Sequence, residues 1–165
     1  VGFQTNLKFG EQKRVFSMIP GLENAEFMRY GVMHRNTFIN SPVLLNSDFS
    51  MREHPEIYFA GQITGVEGYM ESAASGLLAG IALSRKIKGL EPLKLPLDTM
   101  TGALSAYISD PYNNGKFQPM GANMGILPDI GRRIKDKKER YGAYAERAVE
   151  SLKNEMERIG YENNR

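Results

Sequence analysis

Cysteine is absent from the 165-residue sequence, and histidine occurs only twice. Without cysteine, the chain itself can supply no disulfide framework, no thiolate metal site and no thiol nucleophile. Long apolar runs are missing too. None approaches the roughly 18–20 residues that a membrane span needs, and no signal-peptide pattern opens the sequence. A soluble, cytoplasmic protein is therefore expected. Neither sign of charge dominates: 21 Lys and Arg face 19 Asp and Glu, for a net charge of +2. No global basic field announces a nucleic-acid partner. What is present, 41% hydrophobic and 24% charged residues, suffices for one domain with a real core. The opening Val1-Gly2-Phe3 lacks an initiator methionine and reads as the interior of a longer protein, with a processed product as the alternative.

Along the chain, residues 11–19 (EQKRVFSMI) predict a short helix that must stop before Pro20-Gly21. AEFMRYGVM and TFINS read as extended pieces around Gly31 and the polar HRN. Residues 57–60 (IYFA) form a continuous apolar run after a proline, the pattern of a fully buried strand in a parallel sheet. Next, Met70, Ala73, Ala74, Leu77, Leu78, Ile81 and Ile87 recur at helical spacing, so a helix is expected to begin near Val66 or Gly68. Arg85, Lys86 and Lys88 suit its negative end, and Gly89 is placed to close it in the left-handed conformation. After a proline-punctuated connector, Asp98 or Thr99 is the candidate cap of a short helix through GALSAYIS, and DPYNNGK is a turn cluster. Finally, Ile130, Ile134, Tyr141, Ala145, Ala148, Leu152, Met156 and Ile159 predict a long amphipathic helix capped by Asp129 and ended by Gly160. It would be about 45 Å long at 1.5 Å per residue.

The stretch FAGQITGVEGYMESAASGLLAG places five glycines where a strand runs into a helix. Gly61, Gly65 and Gly68 would let the backbone approach something flat or anionic beside the unpaired N–H groups of the helix start. Gly76 and Gly80, with Ala73, would form a small-residue stripe for close packing. A tight turn and close packing would also account for all five. Neither a G-x-G-x-x-G nor a Walker lysine pattern is present.

The whole string is more specific than its glycines. YFAGQITGVEGYMESAASGLLAG resembles the C-terminal, flavin-contacting portion of the GidA/MnmG-related family of bacterial tRNA-modifying flavoproteins. VGFQTNLKFGEQKRVFSMIPGLENAEFMRYGVMHRNTFINSP, GALSAYIS and FQPMGANMGILP match the same source, so the resemblance covers essentially the whole chain. GVMHRNTFINSP and GQITGVEGYMESAASG look like its folate- and FAD-dependent tRNA (uracil-5-)-methyltransferase (TrmFO-type) branch.

The resemblance implies an α/β fold: the C-terminal part of a split, Rossmann-type, glutathione-reductase-like FAD-binding domain, with a long C-terminal helix. Within it, residues 1–56 would be the folate- and flavin-side segment and 57–90 the flavin-contacting strand, turn and helix. Residues 91–128 would hold the connector and short helix, and 129–160 the long helix. The Rossmann fingerprint and the family's cysteine would lie upstream, so no catalytic residue is assigned here and the missing N-terminal part of the same protein is an expected partner.

The implied reaction forms 5-methyluridine in the tRNA T loop. NAD(P)H reduces FAD, and 5,10-methylenetetrahydrofolate donates the carbon. Gly61, Gln62, Ile63, Gly65, Val66, Glu67, Gly68 and Tyr69 are the implied flavin contacts. His34 is implied to stack on the folate ring, with Arg35 and Asn36 as polar neighbours. His54 reads as an ordinary loop residue. No metal is implied.

Arg132, Arg133 and Lys135, in the basic GRRIKDKKER, are candidate tRNA contacts, against the usual reading of such a run as a solvated helix face. A GidA-type wobble-uridine enzyme and a non-catalytic module binding tRNA or another partner remain open alternatives.

Overall fold

The structure, a computed structural model, describes residues 3–31, 37–115 and 117–161. The chain divides into two compact units, Val1–Asn36 and Thr37–Arg165.

The first unit is organised by one amide. Helix α1 (Phe9–Phe16) starts two residues before the expected point and ends at Ser17. It carries Gln12, which is fully buried. The Gln12 Nε2 group donates to the carbonyls of Leu7 and Gly31, both at 2.8 Å, while Oε1 accepts the Gly31 N–H at 2.9 Å. A buried amide left unpaired would be costly, so this two-way pairing fixes where the 27–31 segment returns against the helix. Gly31 has no room for a side chain, because a Cβ there would overlap the carbonyl oxygen of Phe3. Stacked rings surround the pairing: Phe3 on Phe16 at 4.3 Å, Phe27 on Tyr30 at 5.6 Å and Phe9 on Tyr30 at 5.4 Å between centroids.

The second unit holds a one-turn helix α2 (Ser41–Leu44), helix α3 (Tyr69–Ile87), helix α4 (Met100–Ser109) and helix α5 (Lys137–Arg158). Short 3₁₀ turns at Gly61–Thr64, Pro111–Asn113 and Met124–Ile126 join them. Phe49, Val66, Ala79, Leu104, Ile108 and Phe117 form its core. The most apolar helix, α4, lies at the centre with Ala103, Leu104 and Ile108 buried. Its cap is Thr99, not Asp98: the Thr99 hydroxyl accepts the Gly102 N–H at 3.0 Å and donates to Pro96 O at 2.8 Å. Gly89 closes α3 at φ +62°, as its position predicts.

The predicted parallel strand does not form. Among the described residues there are only isolated β-bridges. Residues 57–60 run antiparallel to 49–51 through the Ser50–Tyr58 bridge, with Met51 N donating to Ile57 O at 2.8 Å and Phe59 N to Phe49 O at 3.0 Å. Ile57 is 43% exposed, so the apolar run marks a ribbon with one open side and not a buried central strand. Phe49 at the ribbon's start is 2% exposed and adopts φ 68°, a left-handed conformation rare for a bulky residue.

The last helix also starts later than expected. Asp129 does not cap it; its carboxylate instead accepts the Gly131 N–H at 2.6 Å in a local turn. Asp136 is the cap, accepting the Glu139 N–H at 2.8 Å. The 22 residues of α5 give a length of about 33 Å. Gly160, at φ +63°, ends it as expected.

Polar clamps hold α5 against the 91–98 connector. Glu155, 8% exposed, accepts the Lys94 N–H at 2.6 Å and the Arg158 Nε–H at 2.6 Å. Arg158 also donates to Glu91 Oε1 at 2.9 Å.

The hydrogen bond from Arg158, helped by the Lys94 N–H, holds the Glu155 carboxyl below its ordinary range despite burial. A carboxylate with a depressed folded-state pKa stabilises the fold above the unfolded-state value, and loses that contribution as pH falls through the folded value. Acid titration should therefore weaken the hold on α5 as the pH falls below the ordinary carboxylate range. Glu155→Gln should lower the thermal midpoint by a few degrees at pH 7 and flatten its dependence on acid. Circular dichroism melts across pH 3–7 check this.

Candidate functional site

The corner between the ribbon and α3 begins at Ala60 in extended conformation, turns through Gly61–Thr64, and enters α3 at Tyr69. Three glycines make the path possible. Gly61, Gly65 and Gly68 have φ of +74°, +87° and +103°, values that side chains oppose. A Cβ on Gly65 would overlap the ring of Phe117, and one on Gly68 would overlap the Glu71 carboxylate. A Cβ on Gly61 would meet only Ser72 Cβ at 3.9 Å, an ordinary contact, and the Gly61 N–H donates to Ser75 Oγ at 2.8 Å. Two of the three glycines therefore make room for groups of this chain, and the first serves the turn.

The inner side of the corner is fixed on two sides. Ile39 N donates to Ile63 O at 2.9 Å, and the Ser41 hydroxyl donates to Thr64 O at 2.8 Å. On the other side, Met120 N donates to Gly65 O at 2.9 Å and Glu67 N to Met120 O at 3.0 Å, making a parallel bridge between Val66 and Met120. Glu71 Oε1 completes the strap by accepting the Ala122 N–H at 3.1 Å. Thr64 and Val66 are buried as a result, at 0% and 1% exposure.

The outer side is open. Gln62, Ile63, Glu67, Gly68, Tyr69 and Met70 are exposed, Tyr69 almost completely. No side chain caps α3, whose cap residue is Gly68. The first N–H groups of a helix have no partner within it and carry partial positive charge. One turn in, Ser72 Oγ is a buried hydroxyl without a hydrogen-bond partner among the described residues. The corner thus offers glycine backbone, uncapped amides and an apolar rim of Ile63, Tyr69 and Met70 along one open edge. That combination suits a planar ligand with an electron-rich edge. Of the corner residues, Val66 lines a small hollow with Phe49, Leu78 and Leu104 on the inner side. The groove of about 460 Å³ beside Phe49, Leu78 and Leu97 lies elsewhere on the unit.

The expected flavin contacts, Gly61 through Tyr69, therefore fall on one continuous segment, with Thr64 and Val66 turned inward and Gly65 against Phe117. His34, Arg35 and Asn36 lie outside the described residues. His54 is exposed beside Glu56, with 3.5 Å between Nδ1 and Oε1. Arg132, Arg133 and Lys135 are exposed in the loop before α5, on a different element from the corner. Gly76 and Gly80 face open space on α3 rather than a packed neighbour. Phe117, Met120 and Glu71 were not legible as site-shaping residues. Only Glu71, an acid three residues after a glycine at a helix start, carried a local signal.

The family described as Glucose inhibited division protein A matches residues 1–91, more than half of the sequence, and the chain belongs to that family. Among its relatives, the methylenetetrahydrofolate–tRNA-(uracil-5-)-methyltransferases TrmFO of Staphylococcus aureus strains JH9, JH1 and Newman are each 60% identical over 154 residues. Each alignment covers 93% of this chain and 35% of the relative, so the chain spans about a third of the length of the curated relatives it matches.

The glycines of the corner and those of the helix should respond oppositely to alanine. Gly65→Ala forces a side chain into a left-handed position against Phe117 and should cost about 2–4 kcal/mol. Gly76→Ala adds a methyl group to open space within a helix and should stabilise by about 0.5–1 kcal/mol. Urea unfolding of the two variants checks the contrast.

Proposed function

We propose that this chain is the C-terminal portion of a TrmFO-type methyltransferase, which forms 5-methyluridine in tRNA using 5,10-methylenetetrahydrofolate as carbon donor and reduced FAD as reductant. NAD(P)H is the source of the flavin's electrons in this reading, and the cytoplasm is the location. The fold to which the chain contributes is a split, Rossmann-type FAD-binding domain, divided as the sequence suggests at 1–56, 57–90, 91–128 and 129–160. No described helix is long and apolar enough to cross a membrane.

The observation that carries the reading is the open edge of the 61–69 corner, in a chain 60% identical to TrmFO enzymes over 93% of its length. Each part of that edge has a use. The left-handed glycines bring main-chain amides close to a ring without a side chain between. The uncapped amides at the start of α3 favour negative charge on the near edge of that ring, the electrostatic tuning a protein can give a redox cofactor. Ile63 and Tyr69 exclude water from its face, and the Gln62 amide is placed on the exposed side to pair with a ring heteroatom. Glu67 is exposed at the same edge and favours the α3 dipole. When bound, the flavin supplies the reducing electrons. The chain's residues bind it, orient it and bias its charge. His34 is the folate-stacking residue of the proposal, with Arg35 and Asn36 beside it. Arg132, Arg133 and Lys135 are its tRNA contacts.

The test exchanges this chain for the matching third of a Staphylococcus aureus relative. The chimera should retain FAD and form 5-methyluridine on T-loop substrate only when methylenetetrahydrofolate is supplied. Within it, Gly68→Val should reduce FAD retention at least 10-fold, whereas His34→Ala should retain FAD and lose folate-dependent turnover. A chimera that retains neither FAD nor activity while staying folded would reject the reading.

A further inference from the structure

The charge of this chain is unevenly placed. Residues 132–140 hold six of the 21 Lys and Arg and only two of the 19 Asp and Glu, so the rest of the sequence is net acidic. Arg132, Arg133, Lys135, Lys137 and Lys138 are all exposed, and none of them makes an ion pair among the described residues. The Asp136 carboxylate within the run is already engaged in capping α5. Cations at a helix N-terminus oppose the helix dipole, so this cluster does not serve the stability of α5.

The cluster is nonetheless held in a defined place. Arg147, almost three turns into α5, reaches back to the segment that leads into the basic loop. Its NH1 group donates to Asp129 O at 2.8 Å and its NH2 group to Pro128 O at 2.6 Å. The same guanidinium lies 3.2 Å from Asp98 Oδ1 through Nε and stacks over the Tyr144 ring at 5.1 Å. A planar fork held by two adjacent carbonyls and stacked on a ring is oriented in a way a lysine could not be. Beside the cluster, Tyr141 is 39% exposed, with Lys137 Nζ 5.5 Å and Arg140 Cζ 5.8 Å from its ring centre.

We propose that the segment Arg132–Lys138 is a docking surface for the phosphate backbone of a folded RNA, and that Arg147 is the positioning residue that presents it. Unpaired cations on a fixed loop match a partner whose charges have regular spacing. A membrane surface fits less well, because binding there needs an exposed apolar face beside the cations. None of the exposed large hydrophobic residues falls within 132–138. The proposal rests on the reading above that the chain belongs to a tRNA-acting enzyme.

The test measures binding of the full 165-residue chain to unmodified tRNA across a salt series, with FAD fluorescence quenching recorded on the same preparations. The triple variant Arg132→Glu, Arg133→Glu, Lys135→Glu should bind tRNA at least 10-fold more weakly. Its salt dependence should be shallower by about 2–3 in log–log slope. Arg147→Lys keeps the charge but loses the fork, and should also give a shallower slope with an unchanged circular dichroism spectrum.

An unchanged affinity and slope in the triple variant would overturn the surface. So would failure of the native chain to bind tRNA, or binding to phosphatidylserine vesicles in place of tRNA. An unchanged slope in Arg147→Lys would overturn the positioning role. Should FAD fail to bind while RNA binding follows the expected pattern, the flavin reading falls and the surface stands.

Discussion

The contact between the Phe117 ring and the bare backbone of Gly65 is the constraint on which the second unit depends. It allows residues 117–122 to lie against the corner, where the Val66–Met120 bridge and the Glu71 carboxylate then hold them. Phe117 belongs to the core with Phe49, Leu104 and Ile108, and so does Val66 of the corner itself, so the corner is anchored to α4 through both side chains. Tyr107 and Phe38 also approach that ring, both at 5.8 Å between centroids. The arrangement separates two tasks. The inner side of the corner is fixed by packing, and the outer side keeps its amides and apolar residues free. If, as we propose, that outer edge meets the flavin, being held by its scaffold leaves it less conformational freedom to lose.

The two ends of the second unit are built on different physics. Around α4 the contacts are largely apolar, from Ala103, Leu104 and Ile108, and the buried Ser105 and Ser109 hydroxyls turn back to the helix's own carbonyls. The α5 end is held by charged contacts: Arg158 bonds Glu155 of its own helix and Glu91 and Pro92 of the connector, while Arg147 bonds the carbonyls of Pro128 and Asp129 and lies against Asp98. The one buried residue of α5 is Glu155. Such bonds set register more than they add net stability. That suits an element whose role in our reading is to present charges at a fixed position.

Much of the helical content was legible, because its signals are local. Thr99 as a cap, and Gly89 and Gly160 as ends, follow from the chemistry of those residues at helix termini. Where the sequence reading failed, distant residues made the choice. Asp129 and Asp136 both precede an amphipathic run and both suit a cap. The reach of Arg147 to residues 128 and 129 favours the later one by pinning the earlier segment outside the helix. The apolar 57–60 run looked like a buried strand, yet apolar character does not reveal whether neighbouring strands lie on both sides. The corner glycines stood out in the sequence, but their neighbours Phe117 and Glu71 could not be paired with them without the fold. The organising amide of the first unit, Gln12, was invisible in a helix pattern that treats glutamine as a surface residue.

Phe49 carries a consequence for how this sequence can drift. Its backbone sits at φ 68° while its ring fills the core. Glycine would relax the dihedral but hollow out the interior, and a β-branched residue would fill space at a worse torsional cost. Opposite demands from main chain and side chain leave this site almost no acceptable neighbour one substitution away. Divergence in this part of the protein would then be channelled into the residues that surround the ring, which can re-pack around it more easily than it can be replaced.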